Sequence, residues 1–344
     1  MTQLTDWRKL HPSAFEGHDV LVTGGAGFIG SHLATALHLL GAKVTVLDDL
    51  SGGGDPSVLP RGLSFVQGSI LDAPLLRHCT EGREFVFHQA ALGSVPRSVE
   101  QPRAFYEANV TGTFNVLEAA RTAGVKRVMF AASSSAYGDS PTLPKIETMP
   151  VLPRSPYAAS KVAGESLLAA YAACYPLDTV SLRYFNIFGP RQSADNAYAA
   201  VIAAFAKAIL AGRRPTIFGD GQQSRDFTYV DNVVHANLLA ARRPDRLEGA
   251  VINVACGTRI NVTELAERMA HGFNRPDLTP IYAPERAGDV KHSQADLSKA
   301  NEVLGYTPIM DFASGLPATL DWYTVALSEP SRARGRPALA ARPA

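Results

Sequence analysis

Tyr157 and Lys161, in the run Tyr157-Ala-Ala-Ser-Lys161, stand four residues apart in a stretch with helical periodicity. At that spacing two side chains share one face of a helix. A free phenol has a pKa of about 10 and is a poor base at neutral pH. An ammonium beside it stabilises the phenolate and brings it into the range where it can take a proton from an alcohol. Tyrosine–lysine pairs at this spacing are common on helix surfaces, so the pair alone decides little. Ser133 changes its weight, because it opens Ser133-Ser134-Ser135-Ala-Tyr-Gly at the end of an apolar run that reads as a parallel strand. The carboxyl ends of such strands are where open α/β sheets bind ligands. A serine hydroxyl there can orient a substrate hydroxyl and share its proton with Tyr157. Together the three residues describe proton transfer at an alcohol carbon that is oxidised or reduced.

A second group supplies a place for a redox dinucleotide. Val20-Leu-Val-Thr-Gly-Gly-Ala-Gly-Phe-Ile-Gly30 runs from an apolar strand through a glycine turn into a helix, with Gly24, Gly27 and Gly30 spaced G-x-x-G-x-x-G. Such a turn lets the backbone approach a pyrophosphate, and the helix opening at Phe28 and Ile29 offers unpaired N–H groups and a positive dipole end. The acidic pair Asp48-Asp49 ends the next strand. A carboxylate there accepts hydrogen bonds from ribose hydroxyls and repels a 2′-phosphate, so the expected cofactor is NAD rather than NADP.

These residues need a scaffold, and the first half of the chain describes one. Apolar β-type runs at Asp19–Thr23, Lys43–Leu47, Leu63–Val66, Phe85–Gln89, Arg127–Ala132 and Thr179–Arg183 alternate with helical stretches at Phe28–Leu40, Phe105–Ala123 and Pro156–Cys174. That alternation predicts an α/β fold, a doubly wound parallel sheet of Rossmann type with a smaller C-terminal α/β substrate lobe. The expected division gives residues 1–185 to the dinucleotide domain, which also receives about 226–260. Residues 186–225 and 261–327 form the second lobe, with helices near Ala199–Ala211 and Val262–Gly272. The tail 328–344, rich in Pro, Arg and Ala without periodicity, is expected to be disordered.

Composition narrows the partners. A formal net charge of +1 offers no general attraction to nucleic acid or anionic lipid, so a phosphorylated ligand must be held by local arginines and backbone amides. Three widely spaced cysteines, Cys79, Cys174 and Cys256, fit neither a disulfide framework nor a metal site. No apolar run reaches the ~18 residues of a membrane span, and the N-terminus lacks the apolar stretch of a signal peptide. A cytoplasmic protein without metal is expected, and the Asn-Val-Thr triplets at Asn109 and Asn261 are then not glycan acceptors.

Taken in order, Thr-Gly-Gly-Ala-Gly-Phe-Ile-Gly30, Asp48-Asp49, His88-Gln-Ala-Ala, Ser-Ser-Ser-Ala-Tyr-Gly, Tyr157-Ala-Ala-Ser-Lys161 and Arg183-Tyr-Phe-Asn-Ile-Phe-Gly-Pro resemble the extended short-chain dehydrogenase/reductase family. Within it the chain is most similar to UDP-hexose 4-epimerases, especially bacterial enzymes acting on UDP-N-acetylglucosamine. The resemblance leaves out only roughly the first and last fifteen residues. It implies a homodimer paired through Phe105–Ala123 and Pro156–Cys174. It also implies that Ser69, Ile70, Ala90, Ala91 and Asn109 join the glycine turn, Asp48 and Asp49 around NAD. Ser69 stands where an aspartate commonly faces the adenine, which removes one acceptor. For the UDP-sugar it implies Ser94, Val95, Ser134, Ser135, Asn186, Ala200 and Val201, with Phe218 near the uracil, Arg225 and Arg286 on the phosphates, and Asp289 and Ser293 beside them. Paired arginine forks suit phosphate oxygens.

Three reactions of the family begin with hydride removal from C4 of the sugar. The dehydratases carry an Asp-Glu pair after the residue corresponding to Ser133; here those positions are Ser134 and Ser135, which cannot act as carboxylates. The decarboxylases must hold a C6 carboxylate, and the motifs give no clear sign of groups for it, although Arg97 could serve. Epimerisation needs only Tyr157, Ser133, Lys161, NAD and room for the intermediate to turn. The expected reaction is therefore 4-epimerisation. Ser293 matches the position where epimerases restricted to non-acetylated sugars carry a tyrosine, so the smaller serine leaves room for an N-acetyl group. UDP-glucose/UDP-galactose epimerisation is the alternative, ahead of a dehydratase, a decarboxylase, a dehydrogenase that releases NADH, or a non-catalytic NAD-binding protein.

Overall fold

The computed structural model describes residues 5–194, 200–285 and 291–328. Its centre is a seven-stranded parallel sheet built from β1 (Asp19–Thr23), β2 (Lys43–Asp48), β3 (Ser64–Gln67), β4 (Phe85–His88), β5 (Arg127–Ser133), β6 (Asp178–Tyr184) and β7 (Ala250–Val254). The spatial order is β7-β6-β5-β4-β1-β2-β3, so the order of connection reverses between β1 and β4. A crevice opens at such a reversal, outside the carboxyl ends of the strands.

Alternation along each strand divides the core in two. Val20 and Val22 of β1, with Met129 and Ala131 of β5, pack under the helices Phe28–Leu39 and Val230–Arg242. Leu21, Val128 and Phe130 point to the opposite face, under the helices Gly112–Ala123 and Pro156–Cys174. A separate apolar cluster, with Phe188, Ile202, Phe205, Phe227, Leu265, Met269 and Phe312, forms the smaller lobe. Three two-stranded sheets accompany it, pairing 187–188 with 228–229, 224–225 with 260–261, and Thr216–Phe218 with Ile281–Ala283.

Six of the seven strands lie where the sequence pattern places them, within two residues at each end. The seventh, β7, lies far from the others in sequence and joins the sheet beside β6 in parallel register, Ala250 opposite Val180. The helix expected over Phe105–Ala123 is not continuous. It starts earlier at Pro102, and between Tyr106 and Gly112 it widens into a π turn, Glu107–Thr111, closed by Gly112 N–H on Glu107 O. The helices Val230–Arg242 and Phe312–Ser328 are additional to those expected. The former is buried on nearly every side. The expected disordered tail lies outside the described residues except for Ser328, which ends the last helix.

Two features away from the crevice fix the frame. Arg127, at the start of β5, holds Asp178 of β6 at 2.5 Å and reaches the carbonyls of Ala240, Arg243 and Asp245 at 2.6, 2.9 and 2.7 Å. At the N-terminus, Thr5 donates to Asp231 (2.5 Å) and His11 meets His235 at 2.9 Å, so the segment before β1 is pinned to the helix Val230–Arg242. No helix among the described residues is long and apolar enough to cross a membrane.

Candidate active site

One cleft of about 750 Å³ runs along the carboxyl edge of the sheet and collects most of the residues singled out above. At one end lies the glycine turn. Gly24 has a positive φ of 69°, and a Cβ on it would stand 2.5 Å from Ala90 N; a Cβ on Gly30 would stand 2.1 Å from Gly24 O. Only glycine fits either position. The helix Phe28–Leu39 has no side-chain cap at Gly27, whereas Asp72, Ser94 and Ser155 each cap their own helices with an oxygen. Its first N–H groups are thus left for a ligand, and they face the cleft with Gly27, Phe28 and Ile29. A cradle that a single methyl group would fill, backed by an uncapped helix, fits a dinucleotide pyrophosphate.

Asp48 and Asp49 line the same end. Asp48 accepts Ala26 N–H at 3.0 Å and Leu50 N–H at 2.8 Å, so it braces the glycine turn as well as facing the cleft. Burial raises its pKa against those hydrogen bonds. Asp49 is tied to Ser51, whose N–H and hydroxyl lie 2.9 and 2.5 Å from Oδ1. Ser69, Ile70, Ala90 and Ala91 complete this wall, and Ser69 Oγ also accepts Leu71 N–H at 3.3 Å.

In the middle stand Ser133, Tyr157 and Lys161. Tyr157 enters through Ser155-Pro156, where Ser155 Oγ accepts Ala158 N–H and proline occupies the first helical position, so the phenol comes in the first turn. Its ring meets Phe105 edge to face at 6.4 Å. Ser133 Oγ accepts Ser135 N–H at 3.2 Å and Ser135 Oγ–H at 2.9 Å. With both lone pairs engaged, its own proton is directed to the Tyr157 phenol. Burial raises the Tyr157 pKa, and that hydrogen bond brings it part of the way back.

Lys161 is anchored to the main chain of β5. Its ammonium donates to Ala131 O at 2.8 Å and lies 5.0 Å from the Phe130 ring centroid, so the phenol is not its hydrogen-bond partner. Burial brings its pKa down to about 8, opposed by the charge of Glu165 one turn further on. Glu165 is itself held by Arg183 of β6 in a fork at 2.8 and 2.7 Å, both residues buried. The lysine is thus clamped to the end of β5 between the sheet and a buried ion pair.

At the far end Asn186, Arg225 and Ser293 face the cleft, as do Ser134, Ser135 and Val95. Asn186 Nδ2 donates to Ser293 Oγ at 3.0 Å. Lys145, Gln192 and Tyr184 also line the cleft and were not singled out. Gln192 stands six residues past Asn186, beyond the short strand 187–188, and that proximity was the one available signal. Lys145 carries no such mark, and its ammonium is bonded to Ser140 O.

Several expected site residues lie elsewhere. Asn109 is 2% exposed and does not reach the cleft wall. Its amide is spent on Leu92 N–H (2.8 Å), Leu92 O (3.1 Å) and Ser160 Oγ (3.0 Å). Ser94 caps the helix Val95–Glu100, and Arg97 on that helix does not line the cleft. Phe218 sits in the edge strand Thr216–Phe218, and Ala200 and Val201 open the helix Val201–Leu210; all three are off the wall. Arg286 and Asp289 lie outside the described residues. Among the described residues no group of three His, Cys, Asp or Glu side chains is placed to hold a metal ion.

The family model described as NAD dependent epimerase/dehydratase family matches residues 20–255. The chain belongs to this family. Its cofactor is NAD. The UDP-glucose 4-epimerase of Mycolicibacterium smegmatis is 42% identical over 309 residues, 88% of this chain and 97% of that protein. Among solved structures, the UDP-N-acetylglucosamine 4-epimerase of Methanobrevibacter ruminantium M1 in complex with UDP-N-acetylmuramic acid superposes with a TM-score of 0.86. It is 39% identical, covering 91% of this chain and all of that one. The UDP-glucose 4-epimerase of Thermotoga maritima with UDP-glucose gives 0.85 at 38% identity, over 90% and 99% of the two chains.

Proposed function

We propose that this NAD-dependent UDP-sugar 4-epimerase interconverts UDP-N-acetylglucosamine and UDP-N-acetylgalactosamine through a transient 4-keto sugar. Tyr157 takes the proton of the sugar 4-hydroxyl, with Ser133 holding that hydroxyl in line. Bound NAD supplies the hydride acceptor and donor. The 4-keto sugar turns over in the cleft, so that the hydride would return to C4 on its opposite face while Tyr157 gives the proton back to O4. Ser134 and Ser135 stand where dehydration would need a carboxylic acid and a carboxylate, and the cleft wall there carries neither. Asp48 and Asp49 hold the adenosine ribose, the amides at Phe28 and Ile29 the pyrophosphate, and Ser69, Ile70, Ala90 and Ala91 the rest of the dinucleotide. Asn186 and Arg225 take the sugar nucleotide, with Arg286 and Asp289 completing that end.

The observation that carries the acetylated preference is Ser293. It is a half-buried hydroxyl on the cleft wall, 3.0 Å from Asn186 Nδ2, where a tyrosine would fill the space beside the sugar. UDP-glucose and UDP-galactose form the second reading, favoured by the relative from M. smegmatis. The test is to incubate the purified protein, without added NAD, with UDP-N-acetylglucosamine and separately with UDP-glucose, and to resolve the C4 epimers by NMR. Faster turnover of UDP-glucose would reverse the specificity, and no turnover of either would overturn the function.

A further inference from the structure

The residues that face the sugar-nucleotide end of the cleft come from three separate segments, and one residue between them, Asp226, bonds to the other two: its carbonyl to Asn186 and its carboxylate to the segment of Ser293. Asp226 is fully buried. Among the described residues no cation forms an ion pair with it. Its partners are three backbone N–H groups: Cys256 to Oδ1 at 3.0 Å, Gly257 to Oδ2 at 3.0 Å and Ala295 to Oδ2 at 3.1 Å. Its own carbonyl accepts Asn186 Nδ2 at 3.2 Å, the same amide that holds Ser293 Oγ.

The segment 291–295 is laid along Ser224–Arg225 by further bonds. Ser224 N–H reaches Lys291 O and Ser293 N–H reaches Ser224 O, both at 3.0 Å, and Arg225 Nη1 donates to Lys291 O at 3.0 Å. Ser224 Oγ meets His292 Nδ1 at 2.9 Å. At its end the segment is held by Lys145 N–H on Gln294 O and Gln294 Nε2 on Gly257 O, both at 2.8 Å, and by the Asp226 carboxylate on Ala295 N–H.

We propose that Asp226 is a positioning residue for substrate: its carboxylate seats the segment that carries Ser293 beside Arg225, with residues 256–257 on its other side, at the sugar-nucleotide end of the cleft where its own carbonyl holds Asn186. This rests on the reading that those three residues receive the UDP-sugar. A carboxylate without a cation is a costly way to hold three amides. Burial pushes its pKa up to about 6, so the native protein binds that proton more tightly than the unfolded chain does. The ionised group therefore costs stability, a cost present above pH 6 and gone below the ordinary carboxylate range near 4. Its uncharged neighbours do not donate to it either: the Cys256 thiol turns to Met310 O and the Tyr306 hydroxyl donates to Ala255 O. What ionised Asp226 provides instead is order, because two acceptor oxygens satisfy three donors from two segments at once.

The experiment is Asp226→Asn, which keeps the shape but leaves one acceptor oxygen and turns an NH₂ toward the donors. The enzyme should purify with its usual NAD content. The KM for UDP-sugar, and the Ki for UDP, should rise about tenfold or more, while kcat stays within about threefold. A merely structural role would lower kcat and NAD content together and would refute the proposal. So would a folded, NAD-loaded variant with unchanged KM and Ki. Arg225→Gln is run alongside: if it raises KM and Asp226→Asn does not, only the present inference falls. If neither raises it, the substrate reading beneath it falls. Should the variant not fold, hydrogen exchange on the NAD-loaded wild type decides. Without UDP, the amides of Cys256, Gly257 and Ala295 should exchange as slowly as those of β7, and fast exchange at Ala295 would overturn the proposal.

Discussion

Replacing Tyr157 with phenylalanine removes one oxygen and leaves the ring's packing in place. The edge-to-face contact with Phe105 does not involve the hydroxyl, so the helix Pro156–Cys174 keeps its seat. The structural cost is one hydrogen bond, since the Ser133 proton loses its acceptor, and that is worth about 1 kcal/mol. The chemical cost is larger. A positioned proton-transfer group contributes about 10²- to 10⁴-fold, which at 1.36 kcal/mol per decade is roughly 2.7–5.4 kcal/mol of barrier. Because these differ severalfold, the variant should fold, keep NAD and lose turnover. Burial holds the Tyr157 phenol above its ordinary value, so its basic form is scarce at neutral pH and grows as pH rises. Wild-type kcat should therefore climb between pH 6 and 8, and the residual rate of the variant should not follow it. The assay is epimer interconversion by NMR on protein purified without added NAD, with retained NAD measured after denaturation. A Tyr157→Phe enzyme that keeps more than about a tenth of wild-type kcat would refute the assignment of the base.

Four other outcomes follow from the same geometry. Ser293→Tyr must displace the 3.0 Å contact with Asn186, and it should depress turnover of UDP-N-acetylglucosamine at least about tenfold more than that of UDP-glucose, read as the ratio of kcat/KM values. Gly30→Ala puts a methyl carbon 2.1 Å from Gly24 O, so the purified protein should carry little NAD, measured by absorbance after acid release. Glu165→Gln removes the charge that holds Lys161 up against burial; the Lys161 pKa then drops below about 8, and the alkaline loss of kcat should move to lower pH. Arg127→Ala strips Asp178 of its buried partner and should lower unfolding free energy by about 3–5 kcal/mol in urea titration, without changing the KM of the folded enzyme.

Homodimerisation stays a separate expectation, with its own observation. Tyr106 and Phe114 are 60% and 44% exposed on the helices expected to pair. Light scattering should give twice the chain mass, and Tyr106→Glu with Phe114→Glu should give a monomer; a monomeric wild type would remove the expectation.

What the sequence could show depended on how local the signal was. The glycine turn, the acidic pair and the Tyr157–Lys161 helix are short-range patterns, each fixed by turn chemistry or by helical spacing, and the cleft brings all three together. Strand β7 is different. Its pattern is no weaker than that of β6, but its place in the sheet is set by a partner about seventy residues away. The helix Val230–Arg242 escaped for another reason: it buries Asp231, Asn232, His235 and Asn237 along with its apolar residues, so its polar positions do not mark a solvent face. Asp226 sat in a motif chosen for its arginine, and nothing local says that its donors come from residues 256, 257 and 295.

Asn109 lies behind the cleft and is bonded into its frame. Its carbonyl accepts the Thr113 hydroxyl at 2.6 Å, which obliges Thr113 Oγ1 to accept from His88 Nε2–H at 3.0 Å. His88 Nδ1 must then take the Thr23 hydroxyl proton, at 2.8 Å. One direction of bonding thus runs from the end of β1, beside Gly24, through a neutral imidazole to the π turn. The nearby Lys161 charge and burial keep that imidazole neutral, with its pKa pushed down to about 3. The far end of the chain is the Asn109 amide, which grips Leu92 and, through Ser160, the turn that carries Tyr157. Asn109 acts on the cleft from behind, by locking the glycine turn and the tyrosine helix into one frame. His88→Leu, which breaks that frame while leaving every cleft-lining side chain in place, should therefore weaken NAD retention and kcat together.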